Sequence, residues 1–201
     1  SDTNSDTTSD PLTTSLTTTK RAEALDSNLE LLNLLDIDWR VQYDVPEVLS
    51  LLISSNLLSP TPFLIPQNDV IIPFDNSPKK SVPSSVPIIS LPLKRTFQKS
   101  LKSYSQLETI SGYKTSSGSI TKIKKGTLIP SLPNLFIASL NRFTLSPLTY
   151  EITKNSHPCT IPPRLSSGHV LVSVIVHKGP RTDVGHYVSY VKGGGKWWEC
   201  D

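Results

Sequence analysis

Two residues near the carboxyl end, His186 and Asp201, have the side-chain types and the spacing for acid–base chemistry. His186 precedes the β-branched and aromatic run YVSYV, and Asp201 follows the run KWWEC. Residues 193–195 between the runs are all glycine, so the runs are expected to pair as antiparallel strands whose outer ends meet. That pairing would place the carboxylate beside the imidazole, where it fixes the ring's tautomer and stabilises its cation. The sequence thus predicts a base and its orienting acid, although a histidine at a strand start is more often a packed or surface residue.

A nucleophile for such a pair would have to be one of the chain's two cysteines, Cys159 and Cys200. A reactive thiolate needs a helix N-terminus or a nearby cation. Cys159 follows Pro158 and lies just before two further prolines, so no helix can begin there. Both cysteines are interpreted as small buried hydrophobic residues, and neither is assigned as the nucleophile.

Helix signals lie in the first half of the chain. Ser27 and Glu30 form a capping box ahead of a leucine-rich stretch, which predicts a short helix. Asp44, with Pro46 in the first turn, predicts the start of a second helix with one buried apolar face. The residues of that face are Val45, Val48, Leu49, Leu52 and Ile53. A third helix is expected within residues 94–108, where Phe97, Leu101 and Tyr104 recur at helical spacing.

Strand signals increase along the chain and dominate after residue 126. Residues 60–92 hold eight of the seventeen prolines, which predicts a loop-rich stretch with short extended runs. A hairpin tip is expected at residues 113–119. Further strands are predicted at 135–140, 170–176, 187–191 and 196–200. Short helices followed by an antiparallel sheet define an α+β fold.

Composition bounds the domain organisation and excludes several classes of protein. Twelve of the first twenty residues are Ser or Thr, so residues 1–24 are interpreted as a disordered tail and residues 25–201 as one domain. A net charge of +3 without long basic runs argues against a nucleic-acid partner, and no apolar stretch is long enough to span a membrane. No secretion signal opens the chain, so cytoplasm or nucleus is expected. The absence of Met favours a piece of a longer protein.

Four motifs, numbered from the carboxyl end backwards, occur along residues 40–201. The carboxyl-terminal motif comprises LVSVIV at 171–176, His177-Lys178-Gly179, GHYVSYVK at 185–192, Lys196-Trp197 and Asp201. The second comprises Leu132-Pro133-Asn134-Leu135-Phe136-Ile137, Leu140-Asn141-Arg142-Phe143, Tyr150-Glu151-Ile152 and Lys154-Asn155. The third comprises Ser100-Leu101, Tyr104, Glu108 and Gly112-Tyr113, and the fourth Gln42, Asp44, Glu47 and Leu51-Leu52. Together the four motifs resemble the ubiquitin-specific proteases, the papain-like family of deubiquitinases. The carboxyl-terminal motif is similar to that family's histidine box.

The resemblance implies a fold, a reaction and a set of site residues. The fold would be an incomplete papain-like one, with short helices, an antiparallel palm sheet, reduced fingers and a histidine box at 170–201. His186 would be the general base, and Asp201 the third member of the triad. Gly185, which lets backbone approach closely, and Tyr187 would line the substrate cleft. The partners would be ubiquitin and ubiquitinated proteins, with no cofactor.

Two departures from the family pattern leave the function open. No cysteine box lies in the chain, and the turn where many members carry two CxxC zinc pairs reads YKTSS, so no structural zinc is expected. The chain is therefore interpreted as the carboxyl-terminal part of a cysteine-type deubiquitinase whose nucleophile lies upstream. One alternative is a catalytically dead domain that binds ubiquitin or another protein. The other is a β-rich interaction domain in which His186 has no catalytic role.

Overall fold

The computed structural model describes residue 35 and residues 43–75, 77–115, 118–181 and 184–201. Within these ranges the helices are α1 (Val45–Ser54), α2 (Phe97–Tyr104) and a short 3-10 turn (Thr61–Phe63). The strands are β1 (Ile65–Pro73), β2 (Lys80–Val86), β3 (Ile88–Pro92), β4 (Glu108–Lys114), β5 (Ile120–Leu128), β6 (Ile137–Asn141), β7 (Phe143–Leu145), β8 (Ile152–Lys154), β9 (Ser173–Lys178), β10 (His186–Gly193) and β11 (Lys196–Cys200). The fold is therefore a mixture of α and β structure in which strands predominate, as the sequence predicts.

The largest sheet is antiparallel and has the strand order β2-β1-β5-β4. Its strands β1 and β2, like β3 in another sheet, lie within residues 60–92, so the extended runs predicted there are present, and they are longer than predicted. The prolines are tolerated because of where they lie: Pro83 is in the edge strand β2, and Pro73 ends β1. β4 and β5 form a hairpin in which Lys114 pairs with Ile120, which confirms the predicted tip at 113–119.

The main core lies where β1, β3 and α2 meet. Its buried residues are Ile65, Ile89, Leu91 and Phe97. Leu101 and Tyr104 of α2 pack against them, as their helical spacing predicts. β3 pairs with β6 in parallel, Ile88 opposite Ile137, which departs from the predicted antiparallel sheet. The predicted strand at 135–140 also begins later, at Ile137, and Leu135 is exposed.

Helix α1 begins where the sequence predicts, but it differs in two respects. Its predicted apolar face is only half-buried, and no residue of α1 is fully buried. Asp44 is the N-cap residue by position, yet its side chain makes no capping hydrogen bond. The carboxylate accepts a hydrogen bond from Tyr187 instead.

The carboxyl-terminal sheet has the order β11-β10-β9 and is antiparallel. It confirms the three strands predicted in the histidine box, although the first begins at Ser173, three residues after the start of the apolar run. A separate two-stranded ribbon joins β7 to β8, with Phe143 opposite Lys154.

Some predictions lie outside the described residues. These are the tail at 1–24, the capping box at Ser27 and Glu30, and the motif position Gln42. No helix in the described ranges is long and apolar enough to cross a membrane.

Candidate active site

The His186–Asp201 pair lies at one end of the β10–β11 hairpin. Ser189 pairs with Cys200 in an antiparallel register, so the next residue, Asp201, lies opposite Val188. Side chains two apart on a strand share a face, which brings His186 to the same face as Val188 and within reach of Asp201. Nε2 of His186 and Oδ1 of Asp201 form a hydrogen bond. The predicted pairing across the glycine turn, and the meeting of these two side chains, are confirmed.

The glycine turn fixes the register that brings the pair together. Gly194 and Gly195 have φ angles of +58° and +78°, in the left-handed region that favours glycine. Nε1 of Trp198 donates a hydrogen bond of 3.2 Å to the carbonyl of Gly193 across the turn. A slip of one residue would send Asp201 to the opposite face, so this turn is a condition for the contact.

The charges around the pair favour an ionised Asp201. Its side chain is 56% exposed and that of His186 is 61% exposed. The hydrogen bond from His186 lowers the pKa of Asp201, and the positive charges of His186 and Lys178 act in the same direction. Lys178 stands directly opposite His186 in the sheet and forms an ion pair of 3.4 Å with Glu199. Because Nε2 of His186 is hydrogen-bonded to Asp201, a nucleophile would have to exchange its proton with the other ring nitrogen, Nδ1.

Gly185 and Tyr187 flank His186, and both contact His177. A Cβ atom on Gly185 would overlap the His177 ring and lie 2.8 Å from the carbonyl of Lys178. The packing of the His177 ring at this position therefore requires glycine. The rings of Tyr187 and His177 are 4.9 Å apart, and Tyr187 Oη donates to Asp44 Oδ1 at 3.3 Å. Burial, followed by the charge and hydrogen bond of Asp44, raises the pKa of Tyr187. These contacts are with the protein itself, and the cleft roles of both residues stay predictions.

Two residues of the site, His177 and Lys154, belong to the sequence motifs, but no role was predicted for them. Lys154 at the end of β8 donates hydrogen bonds to Nδ1 of His177 at 3.0 Å and to the His177 carbonyl at 2.9 Å. Burial lowers the pKa of His177, the charge of Lys154 lowers it further, and Asp44 acts in the opposite direction. Their presence in the motifs was the only sign in the sequence that they matter. Their hydrogen bond could not be predicted, because it connects two strands that only the fold brings together.

The cysteines lie in different environments. Cys159 is half-buried and packs against the main core, which agrees with its interpretation as a hydrophobic residue. Cys200 is exposed, so its interpretation as a buried residue is wrong. The reason is that β11 is an edge strand whose residues are all exposed. Cys200 also points to the face opposite Asp201, because neighbouring residues alternate along a strand.

His169 has a structural environment. Its ring nitrogens contact the carbonyl oxygen of Pro133 at 2.8 Å and Ser167 Oγ at 2.9 Å. Within the described ranges, no group of three or more His, Cys, Asp or Glu side chains is arranged to hold a metal ion.

Comparison with known proteins gives the family. A family model described as ubiquitin carboxyl-terminal hydrolase matches residues 36–201. The chain belongs to the ubiquitin carboxyl-terminal hydrolase family. It is similar to a curated relative named ubiquitin carboxyl-terminal hydrolase 26, from Oryza sativa subsp. japonica. The two are 32% identical over 84 residues, which cover 35% of this chain and 8% of the relative's length.

Proposed function

We propose that this chain is the carboxyl-terminal part of the catalytic domain of a ubiquitin-specific protease, and that the whole protein hydrolyses isopeptide bonds of ubiquitin. The observation that carries the proposal is the hydrogen bond between His186 and Asp201 inside a domain of this family. In this proposal the strand-rich carboxyl-terminal half is the palm, and the sheet β2-β1-β5-β4 is a shortened fingers region. Gly185 and Tyr187 line the cleft, and the protein works in the cytoplasm or nucleus.

The proposed reaction uses Nδ1 of His186 as the base. It takes the proton from the thiol of a cysteine supplied upstream of this chain, while Asp201 holds Nε2 and stabilises the imidazolium. The thiolate attacks the carbonyl carbon of ubiquitin's terminal glycine. The C–N bond breaks, and the lysine amine leaves with the proton from His186. Water then gives a proton to His186 and attacks the acyl carbon. The C–S bond breaks, the cysteine takes the proton back from His186, and ubiquitin leaves with a free carboxyl group.

The second candidate function is binding without hydrolysis. The observation that favours it is the position of the two cysteines: Cys159 packs against the main core, and Cys200 lies on the face opposite Asp201. If the natural protein has no cysteine box upstream, the domain binds ubiquitin and does not hydrolyse its bonds.

The test uses the natural chain extended upstream to a cysteine box, with a fluorogenic conjugate of ubiquitin as substrate. We expect hydrolysis that His186→Ala abolishes, while ubiquitin binding persists. His157→Ala, at an exposed histidine, is the matched control and should retain full activity. Activity that survives His186→Ala would refute the assignment of the base. Ubiquitin binding without turnover in the unsubstituted extended chain would favour the second function. If the chain neither binds ubiquitin nor hydrolyses its conjugate, both functions are wrong.

A further inference from the structure

The connection between β9 and β10 is closed at its base by two glycines. A Cβ atom on Gly179 would lie 2.5 Å from the carbonyl oxygen of Val184 and 2.7 Å from Cα of Gly185. We call this contact between Gly179 and Gly185 the neck. His186 is the next residue after the neck, so the position of the neck sets where β10 begins.

The ammonium group of Lys154 binds one side of the neck from another part of the fold. It donates to the carbonyl oxygen of Gly179 at 2.5 Å, to the carbonyl oxygen of His177 at 2.9 Å and to Nδ1 of His177 at 3.0 Å. A lysine ammonium has three N–H donors, so these three acceptors use all of them. The ammonium also lies 5.9 Å from the ring centroid of Phe143.

The His177 ring connects Lys154 to the other side of the neck. The ring fills the space where a Cβ atom of Gly185 would lie. Phe143 packs edge-on against it, with centroids 5.9 Å apart, and Tyr187 packs at 4.9 Å. Lys154 therefore holds Gly179 directly and Gly185 through the imidazole.

We propose that Lys154 is a positioning residue, which fixes the start of β10, and so His186, by binding the neck with the His177 imidazole as one of its acceptors. The consequence for catalysis rests on the proposed function. The consequence for the order of the neck does not, because it concerns only contacts within this chain.

The arrangement depends on the proton state of His177. Lysine can only donate, so Nδ1 must accept, and the ring must be neutral with its proton on Nε2. The groups that face His177 are the ammonium of Lys154 from β8, the carboxylate of Asp44 before α1, and the rings of Tyr187 and Phe143. Burial, and next the charge of Lys154, lower the pKa of His177 below its ordinary value of 6.5. The neck should thus lose stability as the pH falls below that ordinary value, because opening lets the ring take a proton.

The first test measures order at the neck in the 201-residue chain. Amide hydrogen-exchange protection at residues 184–188 reports local opening, and nitrogen NMR of the histidine rings reports the tautomer. We expect Lys154→Met to lower protection by about tenfold to a hundredfold, because three bonds from a charged donor are lost. The pKa of His177 should rise toward its ordinary value. Lys192→Met, at an exposed lysine of β10, is the matched control and should change neither.

The pH dependence separates positioning from general structural support. In the unsubstituted chain, protection should fall on acidification below the ordinary His177 value, by at most about tenfold per pH unit for one proton. His177→Asn retains an acceptor near the Nδ1 position but has no titrating ring, so this dependence should vanish. If Lys154→Met fails to fold, the pH dependence of protection in His177→Asn still tests the proposal. Unchanged protection in Lys154→Met, or the same pH dependence in His177→Asn, would overturn the proposal.

The catalytic consequence is tested in the upstream-extended chain. Lys154→Met should lower kcat more than it changes KM, since it displaces His186 without touching ubiquitin, and Lys192→Met should leave both unchanged. An inactive unsubstituted extended chain would count against the proposed protease, but the exchange result would still decide the role of Lys154. Loss of protection without any loss of kcat in an active extended chain would refute the positioning of His186.

Discussion

Tyr187 Oη donates a hydrogen bond of 3.3 Å to Asp44 Oδ1, which joins two residues that are 143 positions apart. The bond attaches the start of α1 to the strand that carries His186. It also explains why Asp44 does not cap its own helix, since its carboxylate is directed toward the sheet. The motif that contains Asp44 and the carboxyl-terminal motif thus meet in one polar contact.

The ionisation of Tyr187 should report this contact. Burial and Asp44 raise its pKa above the ordinary value of 10.0. Asp44→Asn should therefore move the phenol's titration down toward 10.0, while burial keeps it raised. An ultraviolet titration, with Tyr187→Phe to assign the signal, measures this shift. The stabilisation linked to the neutral phenol is complete below the ordinary value and is lost as the pH rises through the raised one. A Tyr187 titration that Asp44→Asn leaves unmoved would argue against the contact.

Gly185→Ala should destabilise the chain by about 1–3 kcal/mol, because the new methyl group overlaps the His177 ring and the Lys178 carbonyl. Gly193→Ala, at the other end of β10, is the matched control, since its Cβ atom would meet Trp198 at an ordinary 3.7 Å. Urea unfolding of both variants measures the difference. Equal stability of the two would show that the ring does not occupy this position.

Leu91→Ala should lower the free energy of unfolding by about 2–5 kcal/mol, because Leu91 is fully buried in the main core and leaves a cavity. Leu148, which is 89% exposed, provides the control, and Leu148→Ala should stay within about 0.5 kcal/mol of the unsubstituted chain. Both values come from denaturant unfolding. A large effect at Leu148 would mean that something covers it in solution.

His186→Ala should raise the pKa of Asp201 toward its ordinary value of 3.8, because the hydrogen bond that lowers it is lost. Lys178→Met should act in the same direction and more weakly, since Lys178 contributes only its charge. Carbon NMR of the side-chain carboxyl group follows the titration. The stabilisation linked to this carboxylate is present above its ordinary value and is lost as the pH falls through the lowered one. No rise in His186→Ala would show that the two side chains do not interact in solution.

Local patterns in the sequence predicted the carboxyl-terminal hairpin and the His186–Asp201 contact. Three consecutive glycines between two strand-forming runs were a sufficient local signal for that register. The parallel pairing of β3 with β6 was not predicted, because the two short strands are far apart in sequence and no turn connects them. The full length of β1 and the strand β2 were not predicted, because proline's effect depends on edge position, which only the assembled sheet defines. The Lys154–His177 contact was not predicted for the same reason, since it connects two separate sheets.

The parallel β3–β6 pair also has a consequence for the order of events during synthesis. Its partners, such as Ile88 and Ile137, are about fifty positions apart, so at about 5–20 residues per second β3 emerges several seconds before β6. During that interval one edge of β3 has no partner. In the nascent chain this edge of β3 can therefore pair wrongly or bind chaperones. It is covered only when β6 has left the ribosome.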